Sequence, residues 1–364
     1  MSVISNQNFY WSSPGFEIPI ETLCKYSISS GGTAEIPSSK NLKNVFDDVS
    51  EIDDYGLYYA YYGSTGVTDV SFPKLTNINL YGMAYSFCGC SNITNVSFPK
   101  LVNIDDFAMQ NSFFGCTGIT NVSFPELETI GKYGLNNAFY RCNRIVNSIN
   151  FPKLTHIDEY GMDSTFYYCT GIRGSVSFPV LISIGANGLS YAFYSCGSKI
   201  TSIDFSKLEA IGNNGMSFAF DSDTGIVNIS FPELISIGDK GLNFAFNKCS
   251  NLTSVSFPKL VNITGIRGLE YAFSGCSKLT SVLFPELTTI SDYGLSYAFS
   301  PCTSLTSISF PKLTTIGSSG LYNAFYGCSN LQMHFKSDMR STIESMTQYN
   351  ASFGASNSGI YYDL

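Results

Sequence analysis

The chain has 364 residues, of which 13% are charged and 15% aromatic, and its formal net charge at pH 7 is -8. Phosphate backbones and anionic lipids both attract basic surfaces, so this balance argues against nucleic acid and against an anionic membrane as partners. No apolar run approaches the ~20 residues that a membrane-spanning helix needs. The surface is therefore expected to be neutral and rich in Ser, Thr, Asn and Tyr.

The N-terminal residues 1–41 lie outside the repeat that fills most of the chain. Phe16, Ile18 and Ile20 follow the alternating pattern of an edge strand. The first residues lack the basic start and apolar core of a signal peptide, which favours a processed chain or release by another route, such as a virus particle. We expect this segment to cap the first repeat or to attach the protein to a larger assembly, as a homo-oligomer or in a virion.

One phenylalanine recurs at intervals of 26 or 27 residues through most of the chain. Such a period indicates short units that stack into one elongated body, in which each unit contacts only its neighbours. The repeat predicts a solenoid of about eleven turns over residues 42–335. The recurring residues are Phe46, Phe72, Phe98, Phe124, Phe151, Phe178, Phe205, Phe231, Phe257, Phe284 and Phe310.

Each unit is predicted to contain one short strand. In Leu279-x-x-Val282-x-Phe284 the spacing is that of the strand in a leucine-rich repeat. Alternate residues of a strand point to opposite faces, so Val282 and Phe284 are expected inside and Leu283 outside. Pro285 ends the strand because it has no N–H for the hydrogen-bond ladder.

A short helical turn is predicted in the second half of each unit. Gly294 permits a turn that other residues would strain. After it, Leu295, Ala298 and Phe299 have the i, i+3 and i+4 spacing of one inward helical face. The expected fold is therefore an α/β repeat solenoid, in which each unit contains a strand and a short helical turn and both ends are capped.

Most of the eleven cysteines occupy one slot of the repeat. Side chains in one slot of a solenoid point in parallel at about the 4.8 Å strand spacing, which is poor geometry for disulfides. We expect buried thiols that act as small apolar residues. Metal ligation is not expected, because Cys88 and Cys90 are too close in sequence and both histidines stand alone. The slot holds Cys90, Cys116, Cys142, Cys169, Cys196, Cys249, Cys276, Cys302 and Cys328.

The repeat pattern changes after its last cysteine. Residues 331–335 predict a last, shortened strand. A helix is expected to begin at Ser337 or Asp338, and residues 360–362 to form a closing strand. Together, residues 336–364 are interpreted as a C-terminal cap.

The slots Cys-x-x-Leu-x-x-Val-x-Phe-Pro-x-x-Leu-x-x-Ile, followed by Ala-Phe-x-x-Cys, resemble the BspA-like leucine-rich repeats. The resemblance covers residues 42–335. It implies a right-handed solenoid with a strand-lined face, and surface-exposed binding of host proteins, other cells or glycans. This chain differs in its longer unit, with an added Gly-Leu segment, and in its lack of a visible export signal or wall anchor. Its C-terminal segment is similar to those of repeat proteins in gut bacteria and their phages.

Catalytic motifs are absent from the sequence. The chain has two histidines, no Gly-rich phosphate loop, no Gly-x-Ser-x-Gly elbow and no zinc spacing. Paired carboxylates such as Asp105 and Asp106 fall in loop slots, where acidic residues initiate turns. We therefore expect no enzyme activity, no cofactor and no metal.

The outward strand face is the first candidate binding surface. It carries a row of small polar side chains, in which Asn95, Asn121 and Asn228 are the predicted binding residues. The row suits an extended polar ligand such as a polysaccharide. The alternative is a hydrogen-bond ladder in which these side chains satisfy one another.

A stripe of tyrosines on the turn side of the units is the second candidate surface. Tyrosine supplies rigid contact area with a polar tip, which suits recognition. The alternative is that the rings stack between units and only cover the core. The predicted binding residues are Tyr81, Tyr85, Tyr133, Tyr160, Tyr191, Tyr271, Tyr293 and Tyr297.

These features predict a non-enzymatic recognition module, located outside the cell or on its surface, that binds a cell-surface glycan or protein. It would act as a bacterial surface adhesin or as a phage tail receptor-binding protein in a virion. The alternative is a structural spacer or assembly protein whose termini make the contacts. The sequence leaves the ligand, the source and the oligomeric state open.

Overall fold

The computed structural model describes residues 25–28, 32–35, 46–349 and 359–364. Each unit contributes two short strands, which pair in parallel with the strands of neighbouring units. Val70 pairs with Val96 in one row of strands, and Ile52 pairs with Ile78 in the other. The described residues thus form a parallel β-solenoid with two strand rows along its length.

The first row contains the strands that the leucine-rich repeat spacing predicts. Hydrogen bonding divides it into one sheet of two strands and three sheets of three strands, and a parallel bridge joins Asn95 to Asn121. The strands are Asp69–Ser71, Asn95–Ser97, Ile149–Asn150, Gly174–Ser177, Ile200–Asp204, Asn228–Ser230, Ser254–Ser256, Ser281–Leu283, Ser307–Phe310, Gln332–Phe335 and Ile360–Tyr361.

The second row was not predicted, because its strands have only two residues each. An antiparallel hairpin of Lys25–Ile28 and Gly32–Glu35 begins this row through a pair between Ile28 and Ile52. The strands that follow are Glu51–Ile52, Asn77–Ile78, Asn103–Ile104, Thr129–Ile130, His156–Ile157, Ser183–Ile184, Ala210–Ile211, Ser236–Ile237, Asn262–Ile263, Thr289–Ile290 and Thr315–Ile316.

The core is built from columns of identical slots. Val282 and Phe284 are buried as predicted, whereas Leu283 is 52% exposed. The anchor phenylalanines stack ring on ring, with centroids 5.5 Å apart between Phe72 and Phe98. A second inner column stacks in the same way, for example Phe87 on Phe113 at 5.2 Å. One continuous apolar core therefore holds the units together.

The predicted helical turns are not formed. Between the second strand and the cysteine slot, each unit folds into successive tight turns. The N–H of Gly82 donates to the Asn79 carbonyl of its own unit at 2.8 Å, but the N–H of Met83 donates to Ala108 in the next unit at 2.7 Å. In an α-helix both bonds would stay within the segment. Hydrogen bonds between units therefore take the place of helical hydrogen bonds. We call the side of the solenoid formed by these turns the turn face.

Every fourth residue of the turn face has a positive φ. In the first unit φ is 58° at Tyr55, 56° at Tyr59 and 69° at Gly63. A positive φ at the third position of a four-residue turn is the requirement of a type II turn. Successive four-residue turns also bring residues i, i+3 and i+4 to one side. For this reason Leu295, Ala298 and Phe299 are buried as predicted, although their segment is not helical.

The cysteine slot forms a column of buried thiols. All described cysteines are free and buried, which confirms the prediction that they are not bridged, and Cys24 lies outside the described residues. The thiols also act as donors. Cys90 Sγ donates to the Tyr61 carbonyl at 3.0 Å, and the equivalent bond recurs in each unit whose slot holds cysteine.

The corner after the repeated proline carries exposed charges of alternating sign. Lys74 pairs with Asp48 at 2.6 Å, and Lys312 pairs with Glu286 at 2.6 Å, each across one repeat. Lys153 and Glu126 form the same pair. Exposed pairs of this kind contribute at most about 1 kcal/mol each, so they refine the stacking rather than drive it.

The C-terminal elements follow the last repeat. A 3₁₀ turn at Ser337–Met339 leads into α1 at Arg340–Tyr349, where Ile343 is buried, and the strand Ile360–Tyr361 pairs in parallel with Gln332–Phe335. Their role as a cap stays a prediction, as does that of residues 1–41, whose predicted strand at Phe16–Ile20 lies outside the described residues. No helix in the described ranges has the length and apolar character needed to span a bilayer.

Candidate functional site

All eight predicted tyrosines lie on the turn face, at positions where φ is positive. Their φ values fall between 53° and 57°. They form two columns along the solenoid. Ring column 1 occupies the slot before the repeated glycine and contains Tyr81, Tyr133, Tyr160 and Tyr293. Ring column 2 occupies the slot before the repeated alanine and contains Tyr85, Tyr191, Tyr271 and Tyr297.

Ring column 1 is a continuous stack in the N-terminal half. Tyr81 stacks on Phe107 with centroids 4.8 Å apart, Phe107 on Tyr133 at 4.9 Å, and Tyr133 on Tyr160 at 4.6 Å. Beyond Tyr160 the slot changes to polar residues, and Tyr293 instead lies beside the Arg267 guanidinium, 5.2 Å from its ring centroid.

Ring column 2 is continuous in the C-terminal half. Tyr191 stacks on Phe218 at 4.8 Å, Phe218 on Phe244 at 4.6 Å, and Phe244 on Tyr271 at 4.5 Å. Tyr271 then stacks on Tyr297 at 4.6 Å. Sequence reasoning missed the phenylalanines because it followed tyrosine alone, although they occupy the same slot one period apart.

A third column, which sequence reasoning missed entirely, lies beside the other two in the middle of the solenoid. Phe114 stacks on Tyr140 at 4.7 Å, Tyr140 on Tyr167 at 4.7 Å, and Tyr167 on Tyr194 at 5.0 Å. Each of these residues directly follows an inner phenylalanine, as in Phe139-Tyr140. We call this set ring column 3.

The binding role of the tyrosines stays a prediction, while the structure shows how their rings are arranged. The rings do stack between units, as the alternative proposed. They are nevertheless only partly covered along the turn face: seven of the eight predicted tyrosines are half-buried, and Tyr293 is 36% exposed. A surface of stacked rings is already ordered, so a partner that binds it loses little side-chain entropy.

A polar column runs between ring columns 1 and 2. Asn136 Nδ2 donates to Asp163 Oδ2 at 2.9 Å. Burial raises the pKa of Asp163 to about 7, although hydrogen bonds from Ser190, Asn136 and Ser164 act to lower it. Burial likewise raises the pKa of Tyr85 to about 12. At neutral pH this surface therefore presents uncharged phenols around one carboxyl group that titrates.

The predicted asparagines lie on the first strand row, separate from the tyrosines. Asn95 Nδ2 donates to Asp69 Oδ1 at 2.8 Å, and Asn228 Oδ1 accepts from Ser254 Oγ at 2.8 Å. These bonds between neighbouring units form the ladder that was the alternative to ligand binding. The structure thus does not bring Asn95, Asn121 and Asn228 into one site with the tyrosines.

The paired carboxylates line an open depression of about 500 Å³ next to the second strand row. Asp106 Oδ1 accepts from the Lys132 N–H at 2.7 Å, and Asp105 Oδ1 accepts from Asn103 at 2.6 Å. His156 Nδ1 lies 2.6 Å from Ser183 Oγ on an exposed strand. The Asp106 carboxylate thus joins neighbouring units and that of Asp105 bonds within its own unit. Among the described residues no group of three or more acidic, His or Cys side chains is arranged to hold a metal ion.

The repeat matches one known family along most of the chain. Six copies of the family described as BspA type leucine rich repeat region match over residues 57–160, 83–218, 135–263 and 216–354. The chain belongs to the BspA-type leucine-rich repeat family. Leucine-rich repeat proteins of the bacterial surface type are in general binding modules. No curated protein matches the chain.

Several solved structures are similar to this BspA-type chain. A leucine-rich repeat protein from Bacteroides ovatus is 20% identical, with a TM-score of 0.45, over 86% of this chain and 79% of that chain. A leucine rich cell surface protein from Faecalibacterium prausnitzii is 19% identical, with a TM-score of 0.31, over 81% of this chain and 88% of that chain. The leucine-rich repeat protein of T. pallidum is 20% identical, with a TM-score of 0.37, over 57% and 86% of the two chains. These similarities are too distant to add to the family match.

Proposed function

We propose that this protein is a non-enzymatic recognition module that acts at a cell surface, and that it binds a surface protein or glycan through the turn face. The observation that carries the proposal is the set of three stacked ring columns that are half-buried and partly exposed along one side of the solenoid. Tyrosine is enriched at binding hot spots because its ring supplies large contact area and its hydroxyl a polar end.

The family supports the class of function. Leucine-rich repeat proteins are generally binding modules, and BspA-type members are typically associated with surfaces. A ladder of satisfied side chains covers the first strand row, whereas the turn face presents aromatic area that no other unit covers. The turn face is for this reason preferred over the asparagines as the binding surface.

Binding of the labelled full chain to intact bacteria, mammalian cells and matrix proteins tests the proposal. The decisive variant is Tyr133→Asn, Tyr160→Asn and Tyr293→Asn in one chain. Asparagine occupies the same slot at Asn187 and Asn214 with φ values of 56° and 52°, so the backbone is retained while the rings are lost. We expect saturable binding by the wild type and a loss of at least about tenfold in affinity in the variant.

The matched control changes the predicted asparagines of the first strand row and leaves the tyrosines intact. Asn95→Ser, Asn121→Ser and Asn228→Ser introduce the residue found in that slot at Ser254 and Ser281, and we expect binding to be unchanged. Loss of binding only in this control would move the site to the strand face. Binding to a narrow set of bacteria would favour a phage tail or interbacterial role, and binding to host cells or matrix an adhesin. Absence of any binding would leave the structural spacer as the better proposal.

A further inference from the structure

Four exposed basic residues gather at one corner of the solenoid, between the turn face and the first strand row. Arg141, Arg144, Arg173 and Lys199 lie in the three successive units that contain Cys142, Cys169 and Cys196. None of the four forms an ion pair among the described residues, whereas five lysines elsewhere in the solenoid pair with acidic residues of a neighbouring unit. Unpaired cations grouped on a chain of net charge -8 define a local positive surface.

The basic residues border the densest group of rings on the turn face. The Arg141 guanidinium lies 5.5 Å from the centroid of Tyr140 and 6.0 Å from that of Tyr168. Tyr167 lies edge-on to Tyr168 at 4.8 Å and stacks on Tyr194. We call Arg141, Arg144, Arg173 and Lys199, with Tyr140, Tyr167, Tyr168 and Tyr194, the corner patch.

Neighbouring units do not continue the patch. In the slot of Arg141 the preceding unit has Gly115, and two units beyond it Ser195 occupies the slot. The acidic residue that follows Tyr194 in ring column 3 is Asp221, which is buried and hydrogen-bonded to Ser222 and Asn247. The repeat fold does not require charge at these slots, since the units that flank the patch fill them with Gly, Ser, Thr or Val, and cations recur only further along the solenoid, at Lys248 and Lys278.

We infer that the corner patch binds an extended acidic segment of a partner protein, an inference that rests on the proposed recognition function and locates it. Tyr and Arg are the residues enriched in the core of protein–protein interfaces. Arg binds carboxylates in a bidentate fork. Val146, which is 42% exposed, adds apolar contact within the same corner and fits a peptide with apolar side chains better than a polysaccharide.

The spacing of the cations fits such a segment. Arg144 and Lys199 hold the same slot two units apart, with Gly171 between them, so their backbones are separated by about 10 Å. An extended peptide in the polyproline II conformation has three residues per turn and advances about 3.1 Å per residue, so carboxylates three residues apart share one face and lie about 9 Å apart, close to this separation. An acidic peptide that crosses the units would thus place one carboxylate at Arg144 and the next at Lys199.

The test measures the affinity of the full chain for a labelled extended peptide with glutamate at every third position and valine beside each glutamate. The patch variant is Arg144→Gln, Arg173→Gln and Lys199→Gln. The control variant is Lys100→Gln, Lys240→Gln and Lys278→Gln, which removes the same charge from residues that also lack ion pairs. We expect binding at least about tenfold weaker in the patch variant, and unchanged in the control.

Tyr168→Asn is expected to weaken binding of the peptide as well, because the ring contributes contact area. Asparagine tolerates the positive φ of this position, so the backbone is retained. Equal losses in the patch and control variants would overturn the inference by showing attraction to net charge alone. Tighter binding of an anionic polysaccharide such as polygalacturonate would also overturn it by assigning another ligand class. If the wild type binds cells and the patch variant binds them equally well, the inference fails while the proposed function stands. If the wild type binds no cell, the proposed function itself fails.

Discussion

Aromatic residues occupy backbone positions on the turn face that usually belong to glycine or asparagine. The left-handed conformation costs an ordinary residue about 1–2 kcal/mol. A pair of stacked rings contributes about 0.5–1.5 kcal/mol of stabilisation beyond that of the apolar area it buries. The two terms are of similar size, which explains why Tyr and Phe persist where they stack on neighbours, whereas Asn, Ser or Lys fill the slot where the column is interrupted, as at Asn187 and Lys240.

Asp223 is the clearest single-residue weakness of the core. It replaces cysteine in the buried thiol column, and its Oδ2 has no hydrogen-bond partner, while Oδ1 accepts from the Gly197 N–H at 2.9 Å. Burial raises the pKa of this carboxyl well above its ordinary value. A raised folded-state pKa means that ionisation opposes folding, so the penalty is absent below the unfolded pKa of about 4 and grows as pH rises above it.

We expect Asp223→Cys to stabilise the protein by about 1–3 kcal/mol near neutral pH, because it removes an incompletely satisfied buried polar group. The gain in unfolding free energy should be smaller at pH 4 than at pH 7.5, as measured by chemical denaturation. Ser64→Cys is the control: it introduces cysteine into the same slot in the first unit without changing charge, so its effect on the unfolding free energy should not depend on pH. A gain for Asp223→Cys that is equal at both pH values would contradict the assigned cause.

At the scale of the element, the turn face and a helix share the same inward residues. Leu295, Ala298 and Phe299 are buried in either case, so the spacing of apolar residues cannot separate the two structures. The positive φ at every fourth residue can separate them. A slot that accepts Asn111, Asn137 and Asn323 at a constant place in the unit is the sequence signal that favours turns over helix.

Asn214 provides a direct test of the turns. Its φ is 52°, and its N–H donates to Asp239 in the next unit at 2.7 Å. We expect Asn214→Val to lower the unfolding free energy by about 1–2 kcal/mol, because a β-branched residue is poorly accommodated in the left-handed region. Asn214→Gly serves as the control and should change stability by a few tenths of a kcal/mol at most. Equal effects of the two substitutions, followed by thermal or chemical denaturation, would argue for a different backbone at this position.

At the scale of the whole molecule, the hydrogen bonds of the turn face all have one direction. The N–H groups that leave a unit donate to the carbonyls of the next unit toward the C-terminus, as Tyr297 donates to Tyr322 at 2.9 Å. The solenoid therefore has unlike ends. In the last unit, the N–H groups of Ser319, Asn323 and Gly327 have no acceptor within the described part of the chain.

Hydrogen exchange can detect this polarity. The Asn323 amide should exchange faster than that of Tyr297, which occupies the same slot one unit earlier, by an order of magnitude or more, about the contrast between a bonded and an unbonded amide. Ser319 and Tyr293 form a second matched pair, since the Tyr293 N–H donates to Ser318 at 3.0 Å. Comparable protection of both members of each pair would contradict this polarity by showing that the terminal amides are hydrogen-bonded in solution.

The amino-acid sequence by itself determined the period, the stacking of units, the inward strand residues and the unbridged thiols, because each depends only on which slots repeat. It did not determine the second strand row or the turns, because the hydrogen bonds that form them join residues about one repeat apart. The ring columns and the corner patch could not be predicted from the sequence either. Tyr140, Tyr167 and Tyr194 become neighbours only when successive units are stacked in register, so a surface of this kind is decided by the tertiary structure.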